Sequence, residues 1–211
     1  MRSAALEGLA GFGPEAKEAV PVFIEATKDD GLRAAATLAL SKMGAEAKPA
    51  VKALAACLSD ANPVVRDNCL TALGKLGKDA KDAVPEMAKL LEIKEVKLRI
   101  QILAALGQLG KEAKAAVPQM IQVLEERSKE LHAKAVEAIA QVGKDAVRPL
   151  AEALTRNASP YVRLGAAKAL GAIGPDARIA RPGLLMAQRD PVVEVRQAAT
   201  EAYQKVIAKK R

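Results

Sequence analysis

The sequence predicts an all-α solenoid of stacked helix hairpins, and three observations predict it. Half of the 211 residues are hydrophobic, yet only Phe12, Phe23, Tyr161 and Tyr203 are aromatic. Alanine supplies 45 positions, far above ordinary usage. A core of Ala, Leu, Val and Ile fills only where backbones approach closely, as packed helices allow. The third observation is internal repetition, the signature of quasi-one-dimensional arrays.

The clearest copy of the repeat runs from Val65-Arg66 to Leu76-Gly77, and it returns as Leu98-Arg99 to Leu109-Gly110 and Val162-Arg163 to Ile173-Gly174. Looser copies begin at Met1-Arg2, Leu32-Arg33, Leu131-His132 and Val195-Arg196. The marker residues Arg2, Arg33, Arg66, Arg99, His132, Arg163 and Arg196 lie 31, 33, 33, 33, 31 and 33 residues apart. Each copy reads as an amphipathic helix that stops at Gly13, Gly44, Gly77, Gly110, Gly143 or Gly174, where a left-handed C′ residue favours glycine.

A second template fills the intervals. In Gly77 to Leu91, the residues Val84, Met87, Ala88 and Leu91 recur at helical spacing and predict a second amphipathic helix. Gly13 to Ala26 and Gly110 to Leu124 match it, and altered versions follow Gly44, Gly143 and Gly174. Asp60-Ala61-Asn62-Pro63 and Asp190-Pro191 supply the tight turns, as Asp and Pro favour turns and helix starts. About thirteen helices result, arranged as one domain over residues 1–211 of roughly six and a half hairpins. The first helix, near residues 1 to 12, offers only Arg2, Ser3 and Glu7 as a polar cap, so it is expected to meet either a preceding helix of a longer array or a partner. About three residues are missing near Ala146-Val147-Arg148-Pro149, which should change the local curvature.

Pro on the first helix, Asp at the turn and Val-Arg opening the second helix resemble HEAT repeats. The run Ala166-Ala167-Lys168-Ala169-Leu170-Gly171-Ala172-Ile173-Gly174 is similar to the short bacterial type also found in phycobilin lyase subunits. The resemblance spans nearly the whole chain and implies a right-handed α-α superhelical solenoid. It implies no single activity, because function resides in sites placed on a fold.

The resemblance makes the marker residues a structural ladder that ties adjacent hairpins together with the turn Asp. Asp60 and Asp190 stand six residues before Arg66 and Arg196, and charge-assisted bonds would satisfy polar groups along a buried seam. His132 occupies a ladder position and predicts a softer seam, since imidazole offers fewer donors than guanidinium. A basic ridge follows the glycines at Lys17, Lys48, Lys81, Lys114 and Arg178, joined by Lys78, Lys111 and Lys144. Glu15, Glu46, Asp79, Glu112, Asp145 and Asp176 interleave with it at positions suited to capping the next helix.

The concave face, where HEAT arrays bind, should carry the outward rows of the second helices. Its candidate partner-binding residues are Leu38, Lys42, Thr71, Lys75, Ile100, Gln108, Glu137, Gln141, Leu164, Lys168, Glu201 and Lys205. These rows vary between repeats while core positions do not.

Enzymatic relatives of the fold fit poorly. Deoxyhypusine hydroxylase needs several His-Glu motifs for its metal pair, and His132 is the single histidine. Cys57, Cys69 and His132 are read as lying in different units without ligand spacing, and the two cysteines as free packing thiols in a reducing compartment. HEAT-like DNA glycosylases use aromatic residues that are scarce here. No phosphate-cradling or triad motif is visible. The expectation is a non-catalytic scaffold without cofactor that binds a protein or peptide on its concave face. The alternative is nucleic-acid or other polyanion binding, for which a net charge of +8 and the basic rows argue. A phycobilin-lyase-like subunit is the remote third. No signal peptide or run of 18 apolar residues is apparent, so a cytoplasmic chain without membrane insertion is expected.

Overall fold

The computed structural model describes residues 1–208, whose regular structure is helical, with one compact unit at Met1–Leu90 and a second from Leu91 onward. The first unit contains α1 (Arg2–Gly11), α2 (Val20–Ala26), α3 (Arg33–Lys42), α4 (Val51–Ala56), α5 (Pro63–Leu76) and α6 (Val84–Leu90). The second contains α7 (Val96–Leu109), α8 (Val117–Val123), α9 (Lys129–Val142), α10 (Val147–Arg156), α11 (Pro160–Ile173), α12 (Arg181–Ala187) and α13 (Val193–Ile207). Within the first unit α3 packs on α1, α2 and α5, and within the second α11 packs on α9, α10 and α13.

The helices opened by the ladder residues are long, and their starts follow from local chemistry. Asn62 accepts the Val64 N–H and Ser128 Oγ the Leu131 N–H, each satisfying a donor that the helix leaves unpaired. In the preceding loops, Asp60, Asn157 and Asp190 each accept the N–H two residues on through Oδ1, an Asx turn that redirects the chain into the helix.

The glycine stops differ from the expected left-handed cap. All six have positive φ, but at Gly77, Gly110, Gly143 and Gly174 ψ lies between −124° and −140°. That is the mirror image of the extended region, and it rejects even the Asn that a left-handed cap tolerates. From there the chain does not enter the second amphipathic helix directly. A seven-residue 3-10 segment such as Gly77–Ala83 comes first, and α6 starts only at Val84. With three residues per turn, Ala80 and Ala83 fall on one face, and both are buried. Pro21, Pro85, Pro118 and Pro182 then occupy the first α-turn, where no N–H is needed. The missing residues before α10 shorten this 3-10 segment to Gly143–Ala146.

Small residues let the long helices meet. A Cβ added at Gly171 on α11 would lie 2.9 Å from the Ala202 Cα on α13, and one at Gly107 on α7 would run into the Gln141 side chain on α9. Ala36, Ala39, Ala166, Ala169 and Ala199 are wholly buried in these layers, and larger Leu, Met and Val residues fill the space between helices of a pair.

Candidate functional site

The ladder arginines reach both backward and forward along the chain. Arg33 Nε donates to the Thr27 carbonyl at 2.7 Å, six residues back, while its Nη1 meets Asp60 Oδ2 at 2.9 Å, 27 residues ahead. Arg163 holds the Asn157 and Ala158 carbonyls and grips Asp190 through Nε and Nη2, at 2.7 and 3.0 Å. Arg99 reaches Glu126 at 2.9 Å, again 27 residues ahead. Arg66 and Arg196 take the carbonyls, not the carboxylates, of Asp60 and Asp190. The expected pairing over six residues is therefore corrected. The turn carboxylate belongs to the ladder residue of the hairpin before it, because only that arginine approaches it across the stacked interface. Arg2 is exposed on α1. His132 Nε2 donates to the Tyr161 carbonyl at 3.1 Å, whereas the neighbouring ladder residues Arg99 and Arg163 reach carboxylates.

The guanidinium of Arg163, helped by the Val192 N–H, holds the Asp190 carboxyl below the usual carboxylate range against the opposing effect of burial. A depressed carboxylate contributes stability above its unfolded pKa of about 4 and loses that contribution as the pH falls through the folded value. Between pH 7 and pH 3 the thermal midpoint of the native chain should therefore fall further than that of Asp190→Asn. Parallel losses in the two proteins would show that this carboxyl does not contribute to acid sensitivity.

All eight ridge cations, Lys17, Lys48, Lys78, Lys81, Lys111, Lys114, Lys144 and Arg178, are exposed. Lys48 pairs with Asp79 of the next hairpin at 3.0 Å, so that carboxylate bridges repeats and does not cap the segment it starts. The outward rows divide by residue type. Lys42, Thr71, Lys75, Gln108, Glu137, Gln141, Lys168, Glu201 and Lys205 are exposed, whereas Leu38, Ile100 and Leu164 are half-buried. Lys75 also donates to the Ser41 carbonyl at the end of α3, and Glu137 pairs with Lys134.

Sequence reasoning missed two features. Leu185 and Met186 on α12, and Ile179 in the 3-10 segment before it, are exposed; a signal was present, since hairpins with Gln122 or Lys89 in place of Met186 are polar there. Cys57 and Cys69 lie in one hairpin, at the end of the α4 arm and on α5, rather than in separate units. The turn at Asp60–Asn62 folds the end of the α4 arm back against α5. Among the described residues no three His, Cys, Asp or Glu side chains converge as metal donors. Among them, too, no helix is long and apolar enough to cross a membrane.

Hairpins repeated in a fixed register, tied by an arginine ladder and presenting variable polar rows, define a tandem helical-repeat protein. The chain belongs to the HEAT repeats, whose family model matches residues 51–120 and 117–204. Among solved structures it is similar to the complex of CpcE and CpcF of phycocyanin lyase from Nostoc sp. PCC7120, with 24% identity, a TM-score of 0.54, and 98% of this chain and 89% of that one covered. A designed armadillo repeat protein in complex with the peptide (KR)4 shares 18% identity at a TM-score of 0.52, over 89% and 99% of the two chains. An engineered protein, Northeast Structural Genomics Consortium target OR497, shares 20% identity at a TM-score of 0.59, over 99% and 64%. No curated protein matches the chain in sequence.

Proposed function

We propose that this chain is a non-catalytic scaffold that binds a protein or an extended peptide on the face built by its second helices. The observation that carries the reading is the contrast within each hairpin. The buried positions repeat Ala and Leu, while the exposed positions Lys42, Thr71, Gln108, Gln141, Lys168, Glu201 and Lys205 change from repeat to repeat. A constant frame with a changing exposed row lets a few anchors in different repeats read successive residues of one partner. The peptide seen with the designed armadillo protein supports the reading by likeness of fold.

The test is selection of a randomised peptide library on the intact protein. Enriched peptides should lose about tenfold in affinity, or about 1.4 kcal/mol, on Gln141→Ala or Lys168→Ala. Lys81→Ala and Lys114→Ala should leave them unchanged. The reverse pattern, with enrichment of acidic peptides, would overturn the reading and favour polyanion binding, whose motivating observation is the exposed basic ridge. Duplex DNA binding that weakens steeply with salt would then be the companion result.

A further inference from the structure

The first helices carry an exposed row of their own, and one hairpin changes its character. Counted from the glycine stops, the fifth residue is Glu18, Pro49, Asp82 or Ala115 in four hairpins and Ile179 in that of α12 and α13. Seven residues after Ile179 comes Met186, where the other hairpins hold Glu25, Ala56, Lys89, Gln122 and Glu152. All of these residues are exposed, so the exposure belongs to the position within a hairpin and not to the place of α12 in the chain. Ile179 and Met186 are each 68% exposed, which leaves two large apolar side chains in water where the other hairpins put charged, amide or small ones. Cations flank them. Arg178 and Arg189 are exposed, and no Asp or Glu lies between Ala177 and Arg189. Of the nearest carboxylates, Asp176 and Asp190, the second is already held by Arg163. Arg178 also stands where other hairpins have Lys17, Lys48, Lys81 and Lys114, and only a guanidinium offers the planar fork that grips a carboxylate through two bonds. Met186 and Arg189 line an open cavity of about 700 Å³ with Leu185 and Gln188, wide enough for an entering apolar side chain.

We propose that this row docks an acidic segment of a partner protein, in which Asp or Glu side chains flank an aliphatic or aromatic anchor. The anchor covers Ile179 and Met186, and the carboxylates meet Arg178 and Arg189. Charge disfavours an isologous contact with a second copy, which would set one cluster of arginines against the other. An anionic membrane calls for about four to eight clustered cations, more than Arg178 and Arg189 supply. The row lies on the first helices, whereas Gln141 and Lys168 lie on the second, so the inference does not rest on the function proposed for that face.

The experiment selects a random library of displayed peptides on the intact chain, after removing those that bind Met186→Glu. Met186→Glu and Ile179→Glu install the residues native at the matching positions 152 and 18, so both should keep the fold, which unchanged melting by circular dichroism verifies. Met186→Gln, after Gln122, replaces the first if its melting differs. Peptides held by the native chain but not by Met186→Glu should carry Asp or Glu beside an aliphatic or aromatic residue. A fluorescein-labelled peptide from that set should bind about tenfold more weakly to Ile179→Glu and to the double variant Arg178→Glu with Arg189→Glu. Its affinity for Gln141→Ala and Lys168→Ala should be unchanged. A selection that yields no peptide discriminating the native chain from Met186→Glu would overturn the proposal, as would discriminating peptides without acidic residues. Phosphatidylserine vesicles or duplex DNA that bind the native chain and not Met186→Glu, with no such peptide found, would assign the row to a membrane or a nucleic acid instead. Self-association of the native chain that Met186→Glu abolishes, again with no such peptide, would assign it to a second copy.

Discussion

Replacing Asp190 with alanine is expected to lower the unfolding free energy by about 3 kcal/mol, read from urea or thermal unfolding of the intact chain. The side chains of Arg163 and Asp190 are only 13% and 7% exposed, so solvent cannot take over from the lost partner. The substitution removes two charge-assisted bonds to Arg163 and the acceptor of the Val192 N–H that shapes the turn before α13. Arg163 keeps its own loop carbonyls, which confines the damage to the stacking of α11 on α13. Coupling is measurable by adding Arg163→Leu, which should make the second loss much smaller than the first. A cost below about 1 kcal/mol for Asp190→Ala would place this pair with ordinary surface ion pairs and reject the seam as a source of stability.

The second large effect is expected at Gly171. A Cβ there meets the Ala202 backbone at 2.9 Å and the Ala202 Cβ at 3.0 Å, and helix backbone cannot swing aside as a long side chain can. Gly171→Val therefore has to push α13 away from α11 and should cost about 1 to 3 kcal/mol, despite the better helix propensity of valine. Gly8 on α1 has nothing within 4 Å of an added Cβ, so Gly8→Ala should stabilise by up to about 1 kcal/mol. If both substitutions shift the thermal midpoint equally, glycine acts in α11 only through propensity, and close approach is not what the position requires.

The register was legible in the sequence because Arg and Gly each meet a demand that no common residue shares. Arginine serves carbonyls and a carboxylate at once, and glycine alone enters the mirror-extended region. The division of the first helix into a 3-10 segment and an α-helix was not legible. Over so short a segment the only buried pair, Ala80 and Ala83, is three residues apart, a spacing that a 3-10 turn and an α-helical turn both place on one face. The partner of each ladder arginine was hidden for a different reason. Asp60 is near Arg66 in sequence but near Arg33 in space, and which carboxylate meets which guanidinium depends on how hairpins stack. The charged members of the outward rows are exposed. Leu38, Ile100 and Leu164 are half-buried where the polar members of the same rows are exposed, a difference that the repeat register alone does not set.

The two reaches of the ladder, six residues back and 27 ahead, bear on how the chain assembles during synthesis. When Arg163 leaves the ribosome, the Asn157 and Ala158 carbonyls it binds are already outside, so the turn is fastened at once. Asp190 follows only after another 27 residues, and the next layer is locked when it arrives. Arg33 repeats the sequence with Thr27 and then Asp60. None of these bonds waits for a distant part of the chain, and loop closures this short carry little entropic cost. Each hairpin can therefore be completed by the one emerging behind it, in the direction of translation.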